Sequence, residues 1–387
     1  MTAILGMMSG TSGDGIDGAL VNFYEDNKFE LLWHDNFDFS REVREHIRKL
    51  MKSASSEDCA QAGSFMAELY YNAVASFRES HREKIDYLAV HGQTIWHAPE
   101  CVTIAGKSVC GTFQAMNSSW LAEKAGISVI SDFRSRDLAV GGQGAPLVPF
   151  ADLRFFGGIP GDTIALNIGG IANLTEIRHT KNSDASATGT NLPFVKNAFD
   201  TGPGNMLMDA LIQKITNGME SYDNNGIIAS KGKTDKKLLE ELLSDDYFAR
   251  KPPKSTGREK FGIAFLEDIL KNKFSGSNYP DLMSTLLDLT VFSIADALEK
   301  HVFPSGEISQ IILAGGGAYN SELILRLTEK VKKHCKICLS DDFGIPVSAR
   351  EAMAFAALGE AFLKKIKSNI PAATGAHKQV VLGVFTP

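Results

Sequence analysis

Three glycine-rich turns in this chain each follow an apolar stretch, and each could bind an anion. They are residues 10–15 (GTSGDG), residues 169–170 and residues 315–317. Glycines allow neighbouring backbone N–H groups to point into one concavity, and phosphate groups bind in such concavities. One such turn is usually a plain connection. Three of them at the ends of apolar stretches favour phosphate binding.

The first turn also carries side chains that suit a phosphate ester and its metal ion. Thr11 and Ser12 are hydroxyl donors, and Asp14 and Asp17 are carboxylates that could hold Mg²⁺. The simpler alternative is a tight hairpin that joins two strands. The local sequence alone favours that hairpin over a phosphate-binding turn.

A fixed carboxylate is predicted in residues 199–205 (FDTGPGN), where Asp200 follows a short apolar lead-in and precedes Pro203. A carboxylate on a rigid turn suits a general base, because its position is fixed. The alternative is an Asx turn, in which the carboxylate only caps the backbone. The local sequence does not decide between the two.

Residues 91–97 (HGQTIWH) follow the apolar run DYLAV and could bind a sugar. We place them after the end of that strand. His91, Gln93 and Thr94 could form hydrogen bonds with a polyol, and Trp96 could stack on a sugar face. The alternative is a set of surface polar residues with the tryptophan in the core.

Arginine side chains near the middle of the chain could bind an anionic group of a substrate. Residues 132–137 (DFRSRD) contain Arg134 and Arg136. A guanidinium pairs with a carboxylate or a phosphate through two parallel hydrogen bonds. The alternative is a solvated salt bridge within the stretch.

Two other patterns imitate functional motifs. Residues 226–234 (GIIASKGKT) nearly match a Walker loop, but five residues separate the two glycines where the motif requires four. We interpret them as an ordinary loop before a helix. Cys335 and Cys338 have CxxC spacing without a second pair or flanking histidines, which favours structural cysteines. Five cysteines in 387 residues argue against a disulfide framework.

The composition limits the class of protein. Hydrophobic residues make up 44% of the chain and charged residues 22%, as in soluble globular proteins, and the 387 residues predict two or three domains. The net charge of −6 argues against nucleic acid as a partner. No apolar run is long enough for a membrane span, and no signal peptide is recognisable, so we expect a cytoplasmic protein.

Apolar periodicity indicates the elements that position these residues. Residues 1–24 and residues 162–178 are each predicted to form a strand, a glycine turn and a second strand. This weak internal repeat suggests a duplicated fold. A Gly- and Pro-rich stretch after residue 132 is the best candidate for a domain junction. The clearest helix runs from Pro280 to about Val302. Strands mixed with helices on both sides of the junction predict an α/β protein.

Ten motifs in chain order resemble the anhydro-N-acetylmuramic acid kinases, with the levoglucosan kinases of yeasts as a second relative. The motifs are MSGTSGDGIDGAL, HGQTIWHAP, SDFRSRDLAVGGQGAPLVP, LNIGGIANLT, FDTGPGNMLMDA, PPKSTGREKFG, LAGGGAYN, EAMAFA, ATGA and VLGVFTP. The resemblance implies an α/β fold of the two-lobed actin-like ATPase type, a duplicated ribonuclease H-like fold with an inter-lobe cleft. It implies a first lobe of residues 1–132 plus about 371–387 and a second lobe of residues 133–370.

The resemblance also assigns roles to residues. ATP and Mg²⁺ are the implied cofactors, with Asp14 on the magnesium side, and Asp200 is the implied catalytic base. The implied sugar-binding residues are His91, Gln93, Thr94, Arg134 and Glu351. The implied nucleotide-binding residues are Gly10, Thr11, Ser12, Gly13, Asp14, Gly15, Ile16, Asp17, Asn167, Gly169, Gly170, Asn173, Gly202, Gly204, Asn205, Gly315, Gly316, Gly317 and Asn320.

The implied reaction is unusual for a kinase, because the 1,6-anhydro bridge leaves the sugar without a free 6-hydroxyl. Water must attack C1 while O6 departs and takes the γ-phosphoryl group of ATP. Asp200 would deprotonate that water, and the product would be N-acetylmuramic acid 6-phosphate, recovered in cell-wall recycling. The implied partner is therefore a small anhydrosugar, and a homodimer is compatible with the resemblance.

The chain departs from the family pattern in two places. Gly13 stands where the family has a bulky apolar residue such as Leu, and Ala115-Met116 replaces a Gly-Asp pair expected near the sugar pocket. The second departure puts the substrate in doubt more than the reaction type. The alternatives are a levoglucosan-type kinase and a non-catalytic nucleotide-binding module, which would need no Asp200. A Ser/Thr/Asn-rich loop at residues 180–193 covers the site or lies on the surface.

Overall fold

The structure is a computed structural model, and it describes residues 1–10, 13–180, 192–274 and 278–387. The strands are β1 Thr2–Ser9, β2 Gly15–Phe23, β3 Phe29–Asp38, β4 Tyr87–Ile104, β5 Lys107–Ala115, β6 Val129–Ser131, β7 Thr163–Ile168, β8 Ile171–His179, β9 Pro193–Pro203, β10 Gln310–Ala314, β11 Lys336–Leu339 and β12 Val384–Thr386.

The helices are α1 Arg41–Lys52, α2 Ser56–Ser80, α3 Ser118–Ala125, α4 Ser135–Leu138, α5 Val148–Phe156, α6 Met206–Ile215, α7 Ile227–Lys231, α8 Lys236–Leu243, α9 Asp246–Ala249, α10 Arg258–Phe261, α11 Ile263–Asp268, α12 Tyr279–His301, α13 Ser321–Val331, α14 Arg350–Leu363 and α15 Pro371–Thr374. No described helix is long and apolar enough to cross a membrane.

The chain forms two compact units. The first consists of Met1–Arg154 with Gly344–Pro387, and the second is Phe155–Phe343. The sheet of the first unit has the strand order β12-β6-β4-β1-β2-β3, with β5 paired to β4. Strands β1 to β3 form an antiparallel meander, β4 pairs parallel to β1, and β6 pairs parallel to β4.

The second unit repeats this arrangement in its own sheet, of order β11-β10-β7-β8-β9. Strands β7 to β9 form an antiparallel meander, β10 pairs parallel to β7, and β11 pairs parallel to β10. Each unit therefore places parallel strands on one side of a three-stranded meander. The matching orders confirm the predicted duplicated α/β fold.

The unit boundaries lie at residues 154 and 344, whereas the predicted lobes divide at 132 and about 371. Helix α14 packs on β1, β2 and β4, and two ion pairs join it to α5. Arg350 on α14 pairs with Asp152, and Glu360 on the same helix pairs with Arg154. Both α14 and the segment that follows residue 132 are therefore held in the first unit.

Helix α14 also packs on β1 at close range. A Cβ atom on Gly6 would overlap the Ala352 carbonyl oxygen and lie 2.5 Å from the Ala356 nitrogen. Only glycine lets the strand approach the helix backbone this closely. The helix is buried along most of its length and covers one face of the sheet.

Several predicted elements are confirmed. Residues 1–24 form β1 and β2, residues 162–178 form β7 and β8, and the predicted helix that starts at Pro280 is α12. The placement of residues 91–97 after the strand is wrong, because β4 continues through Gly92, whose φ is +80°, and pairs with β5. The predicted loop at 180–193 falls, for residues 181–191, outside the described residues.

One further expectation is corrected. The near-Walker stretch is not only a loop, since α7 forms in it where the Asp223 carboxylate accepts the N–H groups of Ile228 and Ala229. The cysteine count argued against a disulfide framework, and the structure has one disulfide among its described residues, between Cys101 and Cys110 in the β4–β5 hairpin.

Candidate active site

The first glycine turn joins β1 to β2. Gly13 donates its N–H to the Gly10 carbonyl at 3.1 Å and has a φ of +62°, the left-handed region that glycine adopts without strain. A Cβ atom on Gly13 would lie 2.9 Å from the Ile47 Cγ2 methyl. This geometry explains the glycine that departs from the family pattern. Thr11 and Ser12 lie outside the described residues.

Acidic side chains gather at this turn. Asp14 is exposed, and Gly15 and Ile16 begin β2 with the Ile16 side chain in the core. Burial raises the pKa of Asp17, the hydrogen bond from Asn36 opposes this, and the charges of Asp14 and Asp38 raise it further. A divalent cation at this turn would relieve that repulsion. Among the described residues, no group of three or more His, Cys, Asp or Glu could hold a metal.

Gln93 fastens β4 to the first turn. Its side chain is fully buried, with Oε1 accepting from the Ser9 hydroxyl at 2.7 Å and Nε2 donating to the Gly10 carbonyl at 3.0 Å. Both polar ends of the amide are thus bound to β1 and its turn. The contacts favour a positioning role for Gln93 over direct contact with a sugar.

His91 and Arg134 form a hydrogen-bonded pair in the first unit. Arg134 Nε donates to His91 Nε2 at 3.0 Å, so the ring proton lies on Nδ1, 2.9 Å from the Gly92 carbonyl. Burial and the Arg134 charge lower the pKa of His91 to about 3, which keeps the ring neutral. Arg134 Nη1 donates to the Gly144 carbonyl at 2.7 Å.

The second terminal nitrogen of Arg134 has no hydrogen bond within the described parts of the chain. Burial lowers the pKa of the guanidinium to about 10, and the nearby Glu351 opposes that shift. Arg134 is half-buried, and a guanidinium nitrogen that has no partner within the protein can donate to an anion. Arg134 is therefore suited to bind an anionic group of a ligand rather than a solvated salt-bridge partner.

A cavity of about 200 Å³ lies beside His91 and is also lined by Thr112, Phe113, Gln114, Met116, Ser131, Asp132 and Ser135. Thr94 is close to it, because Gln114 Nε2 lies 3.5 Å from the Thr94 hydroxyl. Met116 thus places one family departure against this cavity. Trp96 is 64% exposed and is not part of the core.

Glu351 lies in the first turn of α14. Its side chain reaches solvent, yet the protein atoms that surround it raise the pKa of its carboxyl, and the Asp17 charge adds to this. Arg350 and Arg134 act in the opposite direction. Asp17, Arg134 and Glu351 consequently share one electrostatic environment in the first unit.

In the second unit, Asp200 lies on β9 opposite Asn173 of β8. Its carboxylate Oδ2 accepts the Thr256 N–H at 2.9 Å, and its backbone is held by the Tyr247 hydroxyl and the Lys254 carbonyl. The carboxylate therefore binds a remote segment, residues 252–262, which includes α10, and does not cap its own turn. Burial raises the pKa of Asp200 to about 6.

The three glycine segments of the second unit contact one another. Gly204 and Asn205 donate their N–H groups to the carbonyls of Gly170 and Gly169 at 2.9 and 2.8 Å. A Cβ atom on Gly315, whose φ is +79°, would lie 2.6 Å from Asn167 Oδ1. The structure thus brings together the turns of 167–170, 202–205 and 315–317, as a shared phosphate site requires.

A cavity of about 370 Å³ adjoins these segments and is lined by Asn205, Met208, Asp209, Tyr222, Asp223, Asn224, Asn225, Gly316, Tyr319 and Asn320. Asn320 caps α13 through the Leu323 N–H at 3.0 Å. The sequence analysis had named Asn205, Gly316 and Asn320 as nucleotide-binding residues, and it did not name the other residues that line this cavity. One signal was available, since Asp209 interrupts the apolar run MLMDALI that follows GPGN.

Two sheets of matching strand order, with glycine-rich turns at strand ends, define a duplicated α/β fold of two units. The particular family follows from sequence comparison. The chain belongs to the anhydro-N-acetylmuramic acid kinase family, whose model matches residues 2–387. It is therefore a member of a kinase family.

Curated relatives of the same name align over nearly the full chain. The protein from Caldanaerobacter subterraneus subsp. tengcongensis is 37% identical over 98% of this chain and 96% of its own length. The protein from Clostridioides difficile is 35% identical over 99% and 98%. Among solved structures, a ROK family glucokinase from Streptomyces griseus covers 92% of this chain and 98% of its own, at 12% identity and a TM-score of 0.41. That likeness by itself defines no ligand.

Proposed function

We propose that this protein uses ATP to open 1,6-anhydro-N-acetylmuramic acid by hydrolysis and to phosphorylate O6, giving N-acetylmuramic acid 6-phosphate. The observation that carries the proposal is Asp200, a half-buried residue beside the glycine segments of the second unit. Its carboxylate accepts the Thr256 N–H, and its backbone N–H donates to the Lys254 carbonyl. Family membership supports the kinase class. The product is one that cell-wall recycling would consume.

Asp200 acts as general base in this reaction. It takes a proton from water as the water oxygen bonds to C1, the C1–O6 bond breaks, and O6 forms a bond to the γ-phosphorus while ADP leaves. A carboxylate with a raised pKa is a stronger base than an ordinary aspartate and is still ionised near pH 7. Fixed geometry matters because neutral water is a poor nucleophile.

In this proposal, backbone N–H groups of the glycine turns bind the phosphates, other than those of Gly13, Gly204 and Asn205, which donate to carbonyls within the protein. They would stabilise charge that develops on the transferring phosphoryl group. Mg²⁺, when bound to the phosphates near Asp14, supplies additional positive charge there. Asp17 and Asn36 position that side of the turn through their hydrogen bond of 2.7 Å.

Arg134 favours the muramic acid sugar over levoglucosan. N-acetylmuramic acid carries a lactyl carboxylate, which can accept from the unused donor of the guanidinium. Levoglucosan has no anionic group and would leave that donor unpaired. A levoglucosan-type activity remains the second candidate, because the apolar Met116 lines the cavity beside His91.

The test is ADP release by the full chain with ATP, Mg²⁺ and one of three sugars: 1,6-anhydro-N-acetylmuramic acid, levoglucosan or glucose. We expect turnover with the first sugar and a phosphorylated, ring-opened product by mass spectrometry. Asp200→Asn should lower kcat by about two orders of magnitude or more and leave ADP affinity within a few-fold. Turnover of levoglucosan alone would select the second candidate, and silence on all three sugars would overturn the kinase proposal.

A further inference from the structure

The cavity of about 370 Å³ in the second unit contains a carboxylate that the proposed reaction does not use. Asp209 lies on α6 and is only partly exposed. Its side chain accepts no hydrogen bond from any group in residues 1–10, 13–180, 192–274 or 278–387, and burial raises its pKa to about 7. A half-buried carboxylate that has no donor from the protein has its acceptor oxygens free for a ligand in the cavity.

Asp223 lines the same cavity but differs in this respect. Its two carboxylate oxygens accept the N–H groups of Ile228 and Ala229, each at 2.9 Å, so the side chain caps α7. The acceptor capacity of Asp223 is therefore used by the protein. Asp209 is the acidic residue of the described cavity lining that is available to a ligand.

The position of Asp209 indicates which part of a nucleotide it would meet. It follows Asn205 by one helical turn, and a turn of four residues rises about 6 Å. Asn205 belongs to the glycine segments proposed to bind phosphate, and it lines the same cavity. The ribose of a nucleotide is bonded directly to its phosphate chain, so a nucleotide whose phosphates reached Asn205 would extend its ribose towards the next turn of the helix. The exposed rings of Tyr222 and Tyr319 offer apolar faces in the same cavity for a base.

We propose that Asp209 binds the 2′- and 3′-hydroxyl groups of the nucleotide ribose and so selects ribonucleotides. Two vicinal hydroxyls carry two donors, which match the two oxygens of one carboxylate. The exocyclic amine of a base offers its donors from a single nitrogen, so it matches the two carboxylate oxygens less well than two vicinal hydroxyls do. This inference rests on the proposed function in taking a nucleotide as the ligand of the second unit.

The test measures binding and does not depend on phosphoryl transfer. Calorimetry on the full chain compares ADP with 2′-deoxy-ADP, 3′-deoxy-ADP and 2′,3′-dideoxy-ADP. A hydrogen bond to a charged group is worth about 1.5–3 kcal/mol, so the wild type should bind ADP about 10- to 150-fold more tightly than either monodeoxy compound, and the ratio should be larger still for the dideoxy compound. Asp209→Ala should reduce that ratio to within about threefold, and Asp209→Asn should give an intermediate ratio.

A matched control separates contact from net charge. Glu220→Gln removes one negative charge from an exposed position near Tyr222 and outside the cavity lining, and it should keep the wild-type ratio. A wild-type ratio in Asp209→Ala, with ADP still bound, would overturn the ribose assignment and leave the kinase proposal intact. Failure of the wild type to bind ADP at all would overturn both.

Discussion

At the scale of single residues, Asp200 is held between groups that act on its acidity in opposite directions. Burial raises its pKa to about 6, the Thr256 N–H lowers it, the Glu259 charge raises it, and the Lys254 charge lowers it. A general base must be deprotonated, so activity is lost as pH falls through that pKa. The basicity of Asp200 therefore depends on residues 252–262 as well as on β9.

We expect kcat/KM to fall below about pH 6, roughly tenfold per pH unit, whereas an ordinary aspartate would keep its charge to about pH 4. Glu259→Gln removes a negative charge, which makes ionisation of Asp200 easier and moves the acid limb to lower pH. Lys254→Met should move it to higher pH. Profiles of kcat/KM against pH measure all three, and identical acid limbs in the wild type and both variants would contradict this account.

Gly13 gives a second prediction at this scale. Its left-handed backbone and the Ile47 methyl 2.9 Å from a Cβ position both disfavour a side chain. Gly13→Ala should lower the free energy of unfolding by about 1–2 kcal/mol, measured by urea denaturation. Ile47→Leu removes the branched methyl at similar volume, so the double variant should recover the steric part of the loss. If Gly13→Ala lowers the free energy of unfolding equally in the wild type and in the Ile47→Leu variant, backbone strain alone is responsible.

At the scale of elements, the contact between β1 and α14 has no room for adjustment. The atoms nearest to a Cβ on Gly6 are helix backbone atoms, which cannot rotate away as a side chain would. Gly6→Ala should therefore lower the free energy of unfolding by about 2–4 kcal/mol. Gly111 on β5 is the matched control, because a Cβ there meets nothing within 4 Å. Similar urea midpoints for Gly6→Ala and Gly111→Ala would contradict the packing argument.

Local sequence was sufficient for elements whose apolar pattern is continuous. Strands β1, β2, β7 and β8 and helix α12 follow directly from such patterns. Local sequence was insufficient where a group outside the stretch decides its structure. The β4 strand passes through the positive φ of Gly92 because β5 supplies its partner, and α7 forms because Asp223 caps it. Neither cause is visible in the stretch concerned.

At the scale of the whole molecule, the two units carry different groups of candidate residues. Arg134 and Glu351 belong to the first unit, whereas Asp209 and Asn205 belong to the second. Arg134→Ala should raise the KM for the anhydrosugar at least tenfold, since it removes a charged hydrogen bond, and should leave the ADP dissociation constant within about threefold. Calorimetry with ADP and steady-state kinetics with the sugar measure the two effects. If Arg134→Ala weakened ADP binding as much as it raised the KM for the sugar, the separate assignment of sugar and nucleotide binding to the two units would be contradicted.

Much of the candidate site could be predicted because its backbone turns have a sequence signature. Glycines at strand ends and the FDTGPGN motif mark the phosphate segments and Asp200. The ribose-binding candidate Asp209 could not be assigned, since its significance depends on a cavity formed with Tyr222 and Tyr319, distant in sequence. The compact units divide at other residues than the predicted lobes, and α14, near the end of the chain, belongs to the first unit because it packs on β1, β2 and β4.

The divided sequence of the first unit has a consequence for biosynthesis. Strands β1, β2 and β4 emerge early from the ribosome, but α14, which covers one face of their sheet, is translated only after the entire second unit. The second unit is contiguous and can fold while the chain is still being made. Until α14 arrives, the early strands present an apolar surface around Gly6, and this nascent chain is the stage most in need of a chaperone.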